Sequence, residues 1–186
     1  MALSGALIPT WCLRRSHRLI FLTVGNYNPF PRLVKALDLL KADGAIGEDV
    51  LLQVANMPKF ESSVCRVVRF LPPEDYQRCI HEASVIVCHA GAGNVADALR
   101  AGKLPVVMPR RKKYDEHVDD HQVELAEILA KDGRIVLASE PDELLGAIIK
   151  ARSHDRRSIP TNVPRMVQLV SQILEELSSR RTQVRP

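Results

Sequence analysis

The feature that most constrains this chain is an apolar run that ends in a glycine turn and restarts as a helix. Val85-Ile86-Val87-Cys88 leads into His89-Ala90-Gly91-Ala92-Gly93-Asn94, helical spacing continues to about residue 101, Gly102 stops it, and a new strand covers 105–108. Strand, glycine turn, helix, strand is the repeating unit of a parallel sheet. Such a sheet is covered on both faces, so its strands are apolar at consecutive positions instead of alternating. The same grammar recurs along the chain. Strands are predicted over 19–24, 50–55, 66–71, 84–88, 105–108 and 134–138. Helices are predicted over 31–42, from Pro72-Pro73 through Cys79, over 118–130, from Pro141 onward, and over 164–177. The predicted class is α/β, a Rossmann-like parallel sheet with helices on both faces.

Composition narrows what such a sheet can serve. The 186 residues are 46% hydrophobic, which excludes long disorder and suits one domain over 19–180, flanked by an extension over 1–18 and a tail over 181–186. No uncharged apolar run is long enough to cross a bilayer. The balance of 26 Lys+Arg against 22 Asp+Glu is too mild to argue for nucleic acid. Cys12, Cys65, Cys79 and Cys88 have no CxxC spacing, so neither a zinc knuckle nor a disulfide framework is suggested, and a reducing, cytoplasmic interior is expected. In the extension, Arg14, Arg15 and Arg18 follow the apolar stretch, the reverse of a signal peptide. It reads as a plain extension or as an interfacial anchor through Trp11 and Leu13.

In a doubly wound sheet, ligands bind at the carboxyl ends of the strands. Two turns lie at such ends: Thr23-Val24-Gly25-Asn26 and the stretch from His89 to Asn94. Gly91 and Gly93 allow a ligand to approach the backbone, and the following helix offers unpaired N–H groups and a positive dipole to a diphosphate. His89 is either a packed histidine that shapes the loop or a phosphate contact. Asp97 reads as an acceptor for a ribose hydroxyl or as a helix-dipole carboxylate. After the next strand, the segment from Pro109 to Gln122 is densely polar, and Asp120 with Gln122 offers donors and acceptors for sugar hydroxyls. Arg110, Arg111 and Lys112 form either a solvated face or a site for a phosphate or carboxylate. His117 and His121, four apart on the expected helix, lack an evident third ligand, so no metal is assigned.

At these residues the chain resembles the donor-binding C-terminal half of family 28 glycosyltransferases of the GT-B fold. The likeness is strongest to small stand-alone subunits of two-component UDP-sugar transferases, either the eukaryotic dolichol-linked N-acetylglucosaminyl type or the bacterial Pss-type exopolysaccharide type. It is carried by IFLTVGNYNPFPRLVKALD (20–38) and by VIVCHAGAGNVADALRAGKLPVVMPRRKKYDEHVDDHQVELAEIL (85–129). It implies an inverting hexosyltransferase that uses a UDP-sugar as donor substrate, with no cofactor and no required metal. Gly25 and Asn26 would lie near the phosphates or acceptor, and the loop after Phe70 and Leu71 would recognise uracil. His89, Gly91, Gly93 and Asn94 would hold the diphosphate, while Asp97 would take the ribose from a position where the family usually has Glu. Asn94 replaces the family's usual Thr or Ser. Asp120 and Gln122 would bind the transferred sugar, and Arg110 would face a carboxylate if that sugar is glucuronate; N-acetylglucosamine is the other candidate.

The resemblance also implies a missing half. In GT-B enzymes the acceptor site and usually the catalytic base belong to an N-terminal domain, and one Rossmann-like unit leaves no room for it. A membrane-associated, acceptor-binding partner is therefore expected, acting on a polyprenyl-diphosphate-linked glycan in exopolysaccharide synthesis at the cytoplasmic face. His117 is the candidate base within this chain. Two rival readings use the same residues. Gly91-Ala92-Gly93-Asn94-Val95-Ala96 matches an NADP fingerprint with Arg110 and Arg111 on the 2′-phosphate, and a non-catalytic nucleotide-sugar-binding module would keep the pocket without transfer.

Overall fold

The computed structural model describes residues 18–26 and 28–153. Its six strands are β1 (Leu19–Thr23), β2 (Asp49–Gln53), β3 (Arg66–Val68), β4 (Val85–His89), β5 (Val106–Met108) and β6 (Val136–Leu137). They form one sheet in the order β3-β2-β1-β4-β5-β6, with every neighbouring pair parallel. This is the doubly wound order, whose direction reverses between β1 and β4. The loops after those two strands therefore flank the crevice.

The helices are α1 (Pro31–Ala42), α2 (Pro73–Glu82), α3 (Ala92–Arg100), α4 (His121–Lys131) and α5 (Leu144–Ser153). Prolines at the first turns of α1 and α2 explain where those helices begin, since a missing N–H costs nothing there. Consecutive residues of β1 serve opposite faces. Ile20 and Leu22 share a core with Leu33 and Leu37 of α1 and Leu144 and Ile148 of α5. Phe21 packs with Ile86, with Cys79 and Ile80 of α2, and with Ala98 of α3. Each fully buried side chain of this size contributes about 1.5–3 kcal/mol, so the all-apolar strands are what hold the two helical layers to one sheet. None of the described helices is long and apolar enough to cross a membrane.

The expected elements recur with shifted ends. His89 closes β4 instead of opening the turn, and Gly93 and Asn94 lie inside the first turn of α3. The helix expected from residue 118 starts at His121, because residues 112–114 form a separate 3₁₀ turn closed by Asp115 in the left-handed region (φ 56°). A similar 3₁₀ turn at Pro141–Glu143 precedes α5. The extension over 1–18, save for Arg18, the helix expected over 164–177 and the tail over 181–186 lie outside the described residues.

Candidate functional site

Two loops meet across the switch point, and the His89 ring fills the gap between them. Gly25 follows β1 with φ +78°, and a Cβ built there would lie 2.8 Å from His89 Cε1. A Cβ on Gly91 would overlap the same imidazole, also from close range. Gly93 is different: nothing lies within 4 Å of its missing side chain, which points to open space. Gly25 and Gly91 are thus required by a histidine of the chain itself, whereas of these three glycines Gly93 alone has its side-chain space unfilled by the described residues.

His89 is held as a neutral ring. Burial, followed by the nearby Arg110 charge, pushes its pKa down to about 4, while a hydrogen bond with the Thr23 backbone opposes that shift. Asn94 Nδ2 lies 3.3 Å from His89 Nδ1, so the amide donates to one ring nitrogen. A neutral ring offers no charge to a phosphate, and of the two readings open in the sequence the loop-shaping one fits this environment. The other candidate for an anion is the start of α3, whose cap residue Gly91 is extended and makes no side-chain cap. The first N–H groups of that helix point along the positive end of its dipole.

Asn94 and Asp97 are reached from α2. Tyr76 Oη donates to Asn94 Oδ1 at 3.5 Å and stands against Phe21 edge-on at 5.8 Å. Burial, then the Asp97 carboxylate, raises the Tyr76 pKa and keeps its hydroxyl protonated as a donor. Asp97 also pairs with Arg100 at 2.9 Å and stays partly exposed on the α3 surface.

A second polar chain runs to the loop after β3. Thr23 Oγ1 accepts from the Gly25 N–H and from Gln53 Nε2, each at 3.2 Å, and Gln53 Oε1 accepts from the Leu71 N–H at 3.3 Å. Thr23 and Gln53 are buried at strand ends. They tie the Gly25 turn to the loop carrying Phe70 and Leu71, where Phe70 is 44% exposed and the Arg69 guanidinium carbon lies 5.9 Å from its ring centroid. Gln53 and Tyr76 were not singled out from the sequence, and Thr23 only as the first residue of the turn after β1; a polar residue closing each of two apolar strands was the available signal for Thr23 and Gln53.

On the other side of the crevice the structure corrects one assignment. Arg110 is only 2% exposed, and its guanidinium donates to the carbonyls of Val24 (3.1 Å), Asn28 (2.7 Å) and Pro29 (2.7 Å). It also lies 4.7 Å from the Phe30 ring centroid. Burial lowers its pKa to about 10. Turned inward, it is a latch on the loop after β1, with no free face for a sugar carboxylate or for the 2′-phosphate of NADP. The basic run reads as a surface to be solvated only at its exposed members, Lys112 and Lys113.

Gln122 is buried and its Oε1 accepts from the Arg110 N–H at 3.2 Å, while Asp120 Oδ1 accepts from the Lys112 N–H at 2.9 Å. Both brace the loop after β5, and Asp120 remains exposed at the start of α4. His117 precedes α4, so the expected i, i+4 helical pair with His121 does not form. The two rings meet edge-on, 4.5 Å apart, beside Asp119, whose carboxylate is 3.2 Å from His117 Nδ1 and in contact with His121 Nδ1. Asp119 is the third donor that the spacing did not reveal. One atom from each could reach a divalent ion. The carboxylate is hydrogen-bonded to His121, His117 Nδ1 is buried with no hydrogen-bond partner among the described residues, and Asp119 and His121 are more than half exposed.

The wall of the crevice is completed by a cleft of about 730 Å³ between the loops after β1 and β5, lined by Asn28, Pro29, Arg32, Tyr114, Glu116 and His117 among others. Arg32 and Glu116 are further residues the sequence reading missed.

Similarity to known proteins agrees with this architecture. A UDP-N-acetylglucosamine transferase subunit ALG13 from Yarrowia lipolytica is 30% identical over 120 residues, covering 64% of this chain and 58% of that protein. A UDP-N-acetylglucosamine–N-acetylmuramyl-(pentapeptide) pyrophosphoryl-undecaprenol N-acetylglucosamine transferase from Aromatoleum aromaticum is 32% identical over 109 residues, covering 54% of this chain and 29% of that protein. The chain therefore spans little more than half of the first relative and under a third of the second. Among solved structures, Os79 from O. sativa in complex with UDP superposes with a TM-score of 0.59 at 16% identity, over 81% of this chain and 36% of that one. The glycosyltransferase of kitacinnamycin superposes with a TM-score of 0.58 at 20% identity, over 74% and 35%. At those identities the likeness establishes the fold, the Rossmann-like half of a GT-B glycosyltransferase. The family model for the glycosyltransferase family 28 C-terminal domain matches residues 20–179, and the chain belongs to that family.

Proposed function

We propose that this chain is the donor-binding subunit of an inverting UDP-sugar glycosyltransferase. The observation that carries the reading is the uncapped N-terminus of α3 at the sheet's switch point, beside a glycine whose side-chain space is empty. The diphosphate lies on the first N–H groups of α3, uracil stacks at Phe70 with Leu71, and the ribose meets Asp97 as Tyr76 and Arg100 orient it. The sugar extends toward His117 in the cleft between the loops after β1 and β5, the second of them braced by Asp120 and Gln122.

In this reading an acceptor hydroxyl attacks the sugar C1 from the face opposite the diphosphate. The new C–O bond forms as the C1–O bond to UDP breaks, and the acceptor proton passes to a base. Negative charge grows on the β-phosphate, where fixed N–H dipoles stabilise it without reorganisation. Among the described residues His117 is the candidate base, its Nδ1 3.2 Å from the Asp119 carboxylate; a base supplied by the partner is the stronger choice, since the acceptor must be bound there. A membrane-associated partner at the cytoplasmic face, a polyprenyl-diphosphate-linked acceptor and a place in exopolysaccharide synthesis complete the proposal. No metal is needed for the α3 dipole to hold the diphosphate.

The donor proposed is UDP-N-acetylglucosamine. The names of the relatives favour it, and the inward guanidinium of Arg110 removes the argument for glucuronate. It also weakens the NADP alternative, which needs that group on a 2′-phosphate. Calorimetric binding of UDP, UDP-N-acetylglucosamine, UDP-glucuronate and NADP, with and without magnesium, tests the reading. Metal-independent binding of UDP-N-acetylglucosamine is expected; binding of NADP alone would reject it. A silent module would bind the donor yet give no transfer when co-expressed with an acceptor-binding partner.

A further inference from the structure

Arg32 is the second residue of α1, and all five of its guanidinium N–H groups are engaged. Nε and Nη2 grip the Glu116 carboxylate side-on at 2.8 and 2.9 Å. Nη2 also donates to the Pro109 carbonyl at 2.8 Å, and Nη1 donates to the Ser139 carbonyl at 3.1 Å and to Glu140 at 3.3 Å. The side chains of Arg32 and Glu116 are only 13% and 8% exposed. Glu116 in turn accepts the Arg111 N–H at 3.0 Å, closing the turn that delivers His117.

Arg110 makes the opposite connection. It leaves the loop after β5 and holds three carbonyls of the loop after β1, whereas Arg32 leaves the end of that first loop and holds the second. The buried Phe30 ring stands within 5.4 Å of one guanidinium carbon and 4.7 Å of the other. Two arginines exchanged between two loops fix their separation, and that separation is the width of the cleft that receives whatever lies beyond the diphosphate. A planar, five-donor fork can do this; a lysine, with one nitrogen, cannot.

We propose that Arg32 is a positioning residue for the donor sugar: acting through Glu116, it sets the loop bearing His117, and the start of α4 that follows it, against the loop after β1. The proposal rests on the donor-site reading above and adds a separation of roles. The uridine diphosphate end is built on α3, Thr23 and Gln53, outside the clasp, so it does not depend on Arg32. The sugar end does.

The test compares the affinities of UDP and UDP-N-acetylglucosamine for the full chain and for Arg32→Lys and Glu116→Gln, by calorimetry. Each variant should keep UDP affinity within about twofold and lose about tenfold in UDP-N-acetylglucosamine affinity, the loss expected for one charge-assisted hydrogen-bond pair gone slack. In the complex with its partner, the same variants should raise KM for the donor while UDP inhibits as before. Equal losses for UDP and the UDP-sugar would mean a merely structural role and overturn the proposal, as would unchanged affinity for both. Should Arg32→Lys fail to fold, Glu116→Gln, which keeps the shape of the partner, decides alone. A wild-type chain that binds UDP but gains nothing from the sugar overturns this inference and spares the UDP site; one that binds neither, alone or with its partner, rejects both.

Discussion

The His89 imidazole occupies the space that a side chain at Gly25 would need: a Cβ there would lie 2.8 Å from His89 Cε1, with the backbone already at φ +78°. One ring thereby couples the loops after β1 and β4, the two loops that border the switch point. Gly25→Ala combines left-handed strain with this collision, and a loss of about 1–3 kcal/mol is expected. In urea denaturation, the double variant Gly25→Ala/His89→Ala should recover part of that loss relative to the sum of the single variants. Strict additivity would mean that the two residues do not compete for space.

The same ring predicts a pH dependence. His89 is neutral when folded, with its pKa near 4, while the unfolded chain titrates near the ordinary value of 6.5. Between those values the unfolded state binds more protons, so stability falls as pH drops from about 6.5 to 4 and levels off below; the full difference amounts to roughly 3 kcal/mol. Denaturation midpoints at pH 7, 5.5 and 4.5 should show that slope in the wild type and a shallower one in His89→Asn. An equal slope in both would remove His89 as its origin.

Gly93 separates folding from binding. Its missing side chain faces open space in the first turn of α3, so Gly93→Val should change stability by no more than about 1 kcal/mol. A branched side chain there screens the helix N–H groups from a diphosphate, and UDP affinity should fall by at least about tenfold, which corresponds to 1.4 kcal/mol. Retained UDP affinity would move the diphosphate elsewhere.

Arg110→Ala should act on the fold before it acts on any sugar. Three carbonyls lose a buried donor, and a loss of about 3 kcal/mol or more is expected in chemical denaturation. Affinities for UDP-glucuronate and UDP-N-acetylglucosamine should fall by the same factor in whatever fraction remains folded. A selective loss of UDP-glucuronate would restore a carboxylate-binding role to this residue.

Removing the Tyr76 hydroxyl isolates the ribose end. Tyr76→Phe keeps the ring against Phe21 and deletes the donor to Asn94, at an expected cost of about 1 kcal/mol in UDP binding with little change in stability. Equal affinity of uridine diphosphate for the variant and the wild type would mean that Asn94 and Asp97 are placed without it.

The sheet, its parallel sense and the turn at its centre were legible in the sequence because burial on both faces is written locally. Runs such as Val85 to Cys88 are apolar at every position, and prolines and glycines mark where helices start and stop. The motif from His89 to Asn94, read with the segment from Pro109 to Gln122, was enough to reach the family that the match over residues 20–179 establishes. Element ends were less legible: His89 belongs to β4 and Gly93 to α3, since a hydrogen-bond ladder decides such limits and composition does not.

What a polar side chain faces was decided by tertiary structure alone. Nothing near Arg110 in the chain says that it points inward; its three acceptors lie more than 80 residues earlier, on a loop brought beside it by the β1–β4–β5 pairing. Arg32 and Glu116, 84 residues apart, are visible as a pair only once that pairing exists. Long, flexible side chains take their direction from whichever buried acceptors the packed sheet leaves unsatisfied. Local periodicity therefore determines the scaffold of this protein, and long-range hydrogen-bond satisfaction determines which of its charges are left to meet a ligand.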